Sequence, residues 1–213
     1  MNLAFFEDDF YENFLPLTYT RPVYDLRCGV DELHKKIYRV FPDTKRVYFT
    51  RDYLAPTFAK KFEAPVNEVG VLDDDTLFVN GCLLPSETLK EAVEQCIGKN
   101  VIAIQDGRPA FIYLKSEVCR DVGNVFLNPV TMETLKVLKG KVKVKEVNNL
   151  TLLKYPWELI EHNAELIKEE FSLVAKGESE GEIDSRAVIY GDPKNLYVGK
   201  DTFIEAGVVI DVR

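Results

Sequence analysis

The sequence predicts an α/β fold with a mostly parallel sheet, followed by the start of a left-handed β-helix. Two observations lead to this prediction. Strand-like and helix-like stretches alternate from residue 1 to about residue 147, as in parallel sheets that helices cover on both faces. From residue 183 onward, apolar residues instead recur every six positions, which is typical of a coil built from flat hexapeptide faces.

Six strands are predicted from runs of apolar and β-branched residues. The first follows Met1 directly and is predicted to be buried, because its apolar residues do not alternate with polar ones. The fourth and fifth are joined through Asp106-Gly107-Arg108-Pro109, a turn sequence that predicts a hairpin. The predicted strands cover residues 3–6, 46–50, 76–80, 101–105, 110–115 and 141–147.

Four helices are predicted from apolar residues at helical spacing and from N-cap residues. One begins near Asp31, and a second follows Ser86, whose hydroxyl can accept a hydrogen bond from the first turn. A short third helix follows Thr131, and a long fourth helix runs from Trp157 to about residue 175. Ligands of parallel sheets bind beyond the carboxyl ends of the strands. We therefore expect the site in the loops 7–30 and 81–86.

The tail of the chain has hexapeptide periodicity. Ile183 and Ile189 are six positions apart, and Val198, Ile204 and Ile210 continue the spacing after one interrupting loop. We expect these residues to point into a triangular coil; a simple antiparallel β tail is the alternative. The predicted organisation is an α/β domain over 1–175, a polar linker over 176–182 and incomplete hexapeptide repeats over 183–213. Because the chain stops inside a hexad, we expect it to be part of a longer protein.

Composition excludes several classes of function. The net charge is −8, with 27 Lys and Arg against 35 Asp and Glu, so no nucleic-acid partner is expected. Four cysteines without C-x-x-C spacing argue against a zinc site and predict reduced thiols in a cytoplasmic protein. The start of the chain does not resemble a signal peptide, and no segment is long and apolar enough to predict a membrane span. Both histidines, His34 and His162, are expected at the surface.

Three segments resemble a known family. Residues 15–29 read LPLTYTRPVYDLRCG, residues 77–85 read LFVNGCLLP, and residues 155–163 read YPWELIEHN. With the hexads, these segments resemble a variant branch of the family in which a sugar-1-phosphate nucleotidyltransferase is fused to a hexapeptide acyltransferase. The bifunctional N-acetylglucosamine-1-phosphate uridyltransferases are similar proteins of this kind.

The resemblance implies a Rossmann-like nucleotidyltransferase domain that binds a nucleotide and a sugar phosphate. The family reaction joins a nucleoside triphosphate to a sugar 1-phosphate and releases pyrophosphate. The substrates that the resemblance implies are UTP or dTTP together with N-acetylglucosamine 1-phosphate or a related hexose 1-phosphate. The resemblance also implies Mg²⁺ as cofactor, and a homotrimer of the full-length protein through its β-helix. No membrane partner is implied.

The sequence departs from the family pattern where catalysis would be expected. No glycine lies between Met1 and Cys28, so the usual glycine-rich phosphate loop is missing. Val23 stands at the position of the usual lysine and Cys82 at that of a metal-binding aspartate, and residues 149–156 contain no carboxylate. An active nucleotidyltransferase is one interpretation. A catalytically altered head that binds a nucleotide sugar, or is a scaffold for the acyltransferase, is the alternative. In a third interpretation, the β-helix does all the chemistry.

Candidate catalytic residues are two arginines in the first loop. Arg21 and Arg27 have guanidinium groups that can bind phosphate oxygens in pairs, and Thr18 and Thr20 can complete the shell with hydroxyl groups. The alternative is that these arginines pair with nearby acids, such as Asp25 or Asp31, and only stabilise the loop.

Further candidates follow the strands 3–6 and 76–80. Asn80 and Gly81 are expected to bind the nucleotide or sugar, or simply to form a turn. Glu7, Asp8 and Asp9 are candidate replacements for the missing metal carboxylates. The triplet 73–75 is also acidic, but such triplets before a strand are usually solvated turns.

Overall fold

The computed structural model describes residues 1–175 and 179–213, so residues 176–178 of the predicted linker lie outside the described residues. By internal contacts the chain forms two compact units, Met1–His162 and Asn163–Arg213. The division falls inside a long helix, upstream of the predicted boundary at residue 175.

The first unit is built on a six-stranded sheet with the order β4-β1-β5-β7-β6-β8. β1 is parallel to both β4 and β5, β7 is antiparallel to its two neighbours, and β6 is parallel to β8. Five strands therefore point one way and only β7 is reversed, which confirms the predicted α/β class with a mostly parallel sheet. The strands are β1 (Asn2–Phe6), β2 (Arg27–Cys28), β3 (Asp31–Glu32), β4 (Lys45–Tyr48), β5 (Thr76–Asn80), β6 (Val101–Gln105), β7 (Arg108–Leu114) and β8 (Lys143–Glu146), of which β2 and β3 form a separate short antiparallel pair.

The part of the chain that the structure describes contains five α-helices: α1 (Leu33–Val40), α2 (Ala55–Lys61), α3 (Glu87–Glu94), α4 (Ser116–Val122) and α5 (Pro156–Val174). The cap predicted at Ser86 is confirmed, because its Oγ accepts a hydrogen bond from Leu89 N at 3.0 Å. The helix predicted after Thr131 is a short 3-10 helix, Thr134–Leu138. The short helices α2 and α4, of seven residues each, were not predicted from the sequence. Among the described residues, no helix is long and apolar enough to cross a membrane.

Every residue of β1 is buried, as predicted, because both faces of the sheet are covered. On one face Phe6 packs against Phe126, which stacks on Phe78 with ring centroids 3.9 Å apart. On the other face Phe5 stacks on Tyr48 at 5.3 Å. His34 lies in this second cluster and is only 4% exposed, so its predicted surface position is wrong. The reason is that α1 turns this side chain toward the sheet, against Tyr48.

The second unit contains short strands in parallel pairs. They are β9 (Glu182–Ile183), β10 (Val188–Tyr190), β11 (Phe203–Ile204) and β12 (Val209–Asp211). β9 pairs with β11, which places Ile204 beside Ile183, 21 positions earlier. β10 pairs with β12, which places Ile210 beside Ile189, again 21 positions earlier. Hexad residues thus lie beside other hexad residues 21 positions along the chain, while the left-handed β-helix itself stays a prediction.

Candidate functional site

The candidate site lies at the edge of the sheet where β1, β4 and β5 end. These strands are parallel, so their carboxyl ends meet on one side, and the reversed strand β7 begins there. β4 and β5 lie on opposite sides of β1, so the order of the strands reverses at β1. Ligands of α/β proteins bind at such a reversal, beyond the carboxyl ends of the strands. The polar residues of this edge are Glu7, Asp8, Thr50, Arg51, Asn80 and Arg108.

Asp8 is fully buried, and its carboxylate is saturated with hydrogen bonds. Its Oδ2 accepts from Arg108 Nε and from Asn80 Nδ2, both at 2.9 Å. Its Oδ1 accepts from Arg108 Nη2 and from the backbone N of Phe10, both at 3.2 Å. A carboxylate has about four acceptor positions, so Asp8 has none left for another ligand. Burial opposes the charge of Arg108, but the hydrogen bonds and the charge of Asp8 outweigh this and raise the pKa of Arg108.

Glu7 is held in the same way by Arg51. Its Oε1 accepts from Val23 N at 2.8 Å and from Arg51 Nη2 at 3.3 Å. Its Oε2 accepts from Arg51 Nε at 3.0 Å and from Thr50 Oγ1 at 3.3 Å. Burial raises the pKa of Glu7, and the attraction of Arg51 offsets only part of that effect. Both carboxylates after β1 are therefore used to hold the edge together.

Arg51 joins the segment after β1 to the segment after β4 at this edge. Besides Glu7, its guanidinium donates from Nη2 to the carbonyl oxygen of Arg21 at 2.9 Å and from Nη1 to Tyr53 Oη at 2.7 Å. Its Cζ lies 4.2 Å from the ring centroid of Tyr11. Since Arg51 is only 7% exposed, these bonds fix the backbone of the loop that carries Arg21.

A 3-10 helix, Asp9–Phe14, covers both guanidinium groups. Asp8 caps this helix, because its Oδ1 accepts the hydrogen bond from Phe10 N. The ring of Phe10 then lies over Arg108, with its centroid 3.8 Å from Cζ, while Tyr11 lies over Arg51. The segment that follows β1 therefore forms a compact cover in place of a glycine-rich loop.

The four candidate residues of the first loop differ in burial and in their hydrogen bonds. Thr18 is buried and donates from Oγ1 to the carbonyl oxygen of Tyr11 at 2.9 Å, so its hydroxyl stabilises the loop. Thr20 and Arg21 are exposed. The Arg21 guanidinium forms no hydrogen bond or ion pair with any residue that the structure describes, although its charge acts on Asp25 at longer range. Arg21 is thus the candidate whose guanidinium stays available.

Arg27 lies on β2, opposite Glu32 of β3. Its Nη2 is 3.3 Å from Glu32 Oε1, and its side chain is 62% exposed. The acid that pairs with it is Glu32, which agrees with the alternative that Arg27 pairs with a nearby acid, although the acid is neither Asp25 nor Asp31. Asp25 instead binds Lys61 Nζ at 2.6 Å.

Asn80 and Gly81 are integrated into the fold. Asn80 uses both amide hydrogens, one toward Asp8 and one toward the carbonyl oxygen of Pro109 at 2.8 Å. Its Oδ1 accepts from Cys82 N at 2.9 Å. A Cβ atom at Gly81 would lie 2.9 Å from side-chain atoms of both Val23 and Tyr24, so this position has no room for a side chain.

Comparison with known proteins identifies the family of the chain. A family model described as sugar nucleotidyl transferase matches residues 3–179, which is most of the sequence. The chain belongs to the sugar nucleotidyl transferase family. No curated protein matches it in sequence.

A solved structure is similar to this member of the sugar nucleotidyl transferase family. It is that of a Bacillus anthracis protein described as a glucose-1-phosphate thymidylyltransferase, in complex with sucrose. The TM-score is 0.53 and the identity is 11%, over 78% of this chain and 95% of that one. At this identity the match shows a shared fold and no more.

The carboxylates of this sugar nucleotidyl transferase do not fit the Mg²⁺ that the family resemblance implies. Asp8 and Glu7 have no acceptor position left, and Asp9 points to solvent on the 3-10 helix. Within residues 1–175 and 179–213, no group of three or more His, Cys, Asp and Glu side chains is arranged to hold a metal ion. Two of the three acids before β5 are also engaged, since Asp74 binds the N-terminal ammonium group at 2.7 Å and Asp75 accepts from Tyr113 Oη at 3.1 Å.

Cys82 does not replace the aspartate of the family. It is completely buried, and burial together with the nearby charge of Asp8 raises the pKa of its thiol well above the usual value. The thiol is therefore neutral in the metal-free protein, and among the described residues Cys82 belongs to no group of three or more His, Cys, Asp and Glu that could hold a metal ion. No disulfide links the four cysteines, all of which lie among the described residues.

Sequence reasoning missed Arg51 and Arg108, the two cations that organise the edge. Arg51 directly follows the predicted strand 46–50, and Arg108 lies in the predicted hairpin turn. A usable signal was present, because two acids directly after a buried strand need cationic partners at the same edge of the sheet. Arg51 and Arg108 are both placed at that edge by the predicted topology.

Proposed function

We propose that the first unit transfers a nucleotidyl group from UTP or dTTP to N-acetylglucosamine 1-phosphate or a related hexose 1-phosphate. A phosphate oxygen of the sugar 1-phosphate attacks the α-phosphorus of the triphosphate. The bond from that phosphorus to the bridging oxygen breaks, and pyrophosphate leaves with the electron pair. Membership of the sugar nucleotidyl transferase family supports this reaction.

The observation that carries the proposal is the exposed guanidinium of Arg21 on a loop whose backbone Arg51 holds at the carboxyl edge. Arg21 binds phosphate oxygens and balances the charge that moves to pyrophosphate. Thr20, the exposed neighbour of Arg21, donates a hydroxyl hydrogen bond to the same ligand. Arg27, whose side chain is exposed, is a second phosphate contact once it exchanges Glu32 for the ligand. Asn80 and Gly81 shape the floor of the site.

The test is pyrophosphate release from UTP or dTTP with a panel of sugar 1-phosphates, with and without Mg²⁺. Arg21→Ala is expected to weaken nucleotide binding by about 10- to 150-fold, the range of about 1.5–3 kcal/mol for a hydrogen bond to a charged group. Arg120→Ala is the matched control, because Arg120 is another exposed arginine but lies on α4. Unchanged affinity in Arg21→Ala would restrict this residue to loop structure.

A second candidate function is a head that binds a nucleotide sugar without turning it over, or acts as a scaffold for an acyltransferase tail. The saturated carboxylates of Asp8 and Glu7 favour it, since the usual metal chemistry has no ligand among them. Binding of UDP-N-acetylglucosamine without pyrophosphate release from any substrate pair would support this second function against the first.

For the second unit we propose the opening of a left-handed β-helix of hexapeptide repeats, following a domain over 1–175 and a linker over 176–182. The parallel pairs that join residues 21 positions apart support it. In the full-length protein this β-helix forms a homotrimer and belongs to an acyltransferase. Light scattering after size-exclusion chromatography measures the mass of the assembly, and a monomeric full-length protein would contradict the trimer.

A further inference from the structure

We propose that Arg51 and Arg108 are resident cations of the carboxyl edge. They hold Glu7 and Asp8 permanently, so that these carboxylates bind no divalent cation. The phosphates of the ligand are then bound by guanidinium and hydroxyl groups without a metal ion held by the protein. The occupation of the two carboxylates follows from geometry alone, whereas metal-free binding of phosphate rests on the proposed function.

Saturation of the two carboxylates is the first argument. Each accepts four hydrogen bonds, which equals the number of acceptor positions that a carboxylate offers, about four. A divalent cation coordinated by Asp8 would have to displace Arg108 or Asn80 from it. The displaced group would then remain buried without its partner, which is unfavourable.

Confinement of the guanidinium groups is the second argument. Arg108 is 3% exposed, and its remaining Nη1 donates to the carbonyl oxygen of Leu153 at 2.9 Å. The ring of Phe10 covers it, as Tyr11 covers Arg51. Neither arginine can therefore swing away to admit a cation unless the 3-10 helix Asp9–Phe14 lifts as well.

The balance of charge at the edge is the third argument. Two carboxylates meet two guanidinium groups, so the buried pairs are neutral, and Arg21 adds a positive charge without a hydrogen-bonded acid among the described residues. An incoming phosphate therefore meets no unpaired buried carboxylate that a metal ion would need to neutralise. Of the other acids nearby, Asp25 is paired with Lys61, and Asp9 and Glu12 are exposed on the 3-10 helix.

Titration with Mn²⁺ tests the occupation of the two carboxylates in the absence of any nucleotide. Electron paramagnetic resonance reports free Mn²⁺ in solutions of the wild type, of Arg108→Met and of the double variant Asp8→Asn/Arg108→Met. We expect the wild type to leave Mn²⁺ free. Arg108→Met frees the two acceptor positions of Asp8 that Arg108 occupies and is expected to bind Mn²⁺ at least about tenfold more tightly, since carboxylate oxygens are hard ligands. The double variant should lose that gain.

The titration of the wild type shows whether the carboxylates bind a divalent cation even if Arg108→Met fails to fold. Tight Mn²⁺ binding by the wild type that Asp8→Asn/Arg108→Met abolishes would overturn the proposal. The double variant is suited to this comparison because it removes both charges together, and buried pairs are often replaced by neutral groups without loss of the fold. Asp9→Asn is the control for weak binding by the exposed acids.

Nucleotide affinity provides the second readout. Calorimetry with UTP and dTTP is carried out on the wild type in excess EDTA and in Mg²⁺. We expect dissociation constants that agree within about threefold, because the contacts of Arg21 persist in both conditions. A loss of more than about tenfold in EDTA would overturn the metal-independent binding of phosphate. If neither nucleotide binds in either condition, the proposed function fails. The Mn²⁺ titration still shows whether Glu7 and Asp8 bind a divalent cation.

Discussion

Acid is expected to destabilise the first unit through His34. The ring is buried beside Phe62, and its Nδ1 shares a hydrogen bond with Tyr48 Oη at 3.0 Å. Burial lowers the pKa of His34 from 6.5 to about 4. Because the folded-state pKa is lowered, the neutral ring stabilises the fold fully above about pH 6.5. This contribution is lost as the pH falls toward and through about 4.

The magnitude follows from the two pKa values. The full difference corresponds to about 3 kcal/mol, at about 1.4 kcal/mol for each pH unit between them. Between pH 8 and pH 5 the protonation equilibria give a loss of about 2 kcal/mol in the free energy of unfolding. Since His34 is 4% exposed, solvent screening reduces this value little. Urea denaturation followed by circular dichroism at pH 8, 6.5 and 5 measures it.

A substitution isolates the contribution of this side chain from those of other titrating groups. His34→Asn keeps a polar partner for Tyr48 but does not titrate, so its stability should fall by about 2 kcal/mol less between pH 8 and pH 5. His162→Gln changes the other histidine of the chain and is expected to retain the loss. Equal pH dependence in the wild type and His34→Asn would refute the reasoning.

Three further substitutions test local structure, two within the first unit and one within the second. Gly81→Ala should lower the free energy of unfolding by about 1–3 kcal/mol, because the added Cβ has no space. Gly70→Ala is the control in the same urea titration, because a Cβ at Gly70 would have no atom within 4 Å. Ser86→Ala removes the cap of α3 and should cost about 1 kcal/mol; an unchanged midpoint would mean that the cap is dispensable. Gly191→Ala, at a φ of +107°, places Cβ 2.8 Å from Val212 C and should accelerate hydrogen exchange in β10 and β12.

The fold was largely predictable because periodicity records which faces of an element are buried. The run in β1, the cap at Ser86 and the hairpin of β6 and β7 each have a local signature, and the structure confirms them. The helices α2 and α4 were missed because seven residues make only about two turns, too few for a clear pattern. His34 was misplaced because charged neighbours in sequence do not show which side of a helix faces the sheet.

The candidate site was predicted only in its location. The loop after β1 and the end of β5 do lie at the carboxyl edge, and the structure leaves the guanidinium of Arg21 exposed there. The uses of Asp8 and Asn80 were not visible, because their partners Arg108 and Pro109 belong to a strand far along the chain. Local sequence shows which groups can bond, and only the three-dimensional pairing shows which of them are already occupied.

The ion pairs at the edge also relate the candidate site to the folding of the chain. Asp8 and Arg108 are 100 residues apart in sequence, and Glu7 and Arg51 are 44 apart. Contacts across such separations require large loops to close first, so they form slowly compared with local ones. The Glu7–Arg51 pair requires β4 beside β1, whereas the Asp8–Arg108 pair also requires β5 and β7 in place, because β5 lies between β1 and β7. Ligand binding at this edge is therefore expected only after these strands have paired. The rate at which binding recovers during refolding would measure the rate of that pairing.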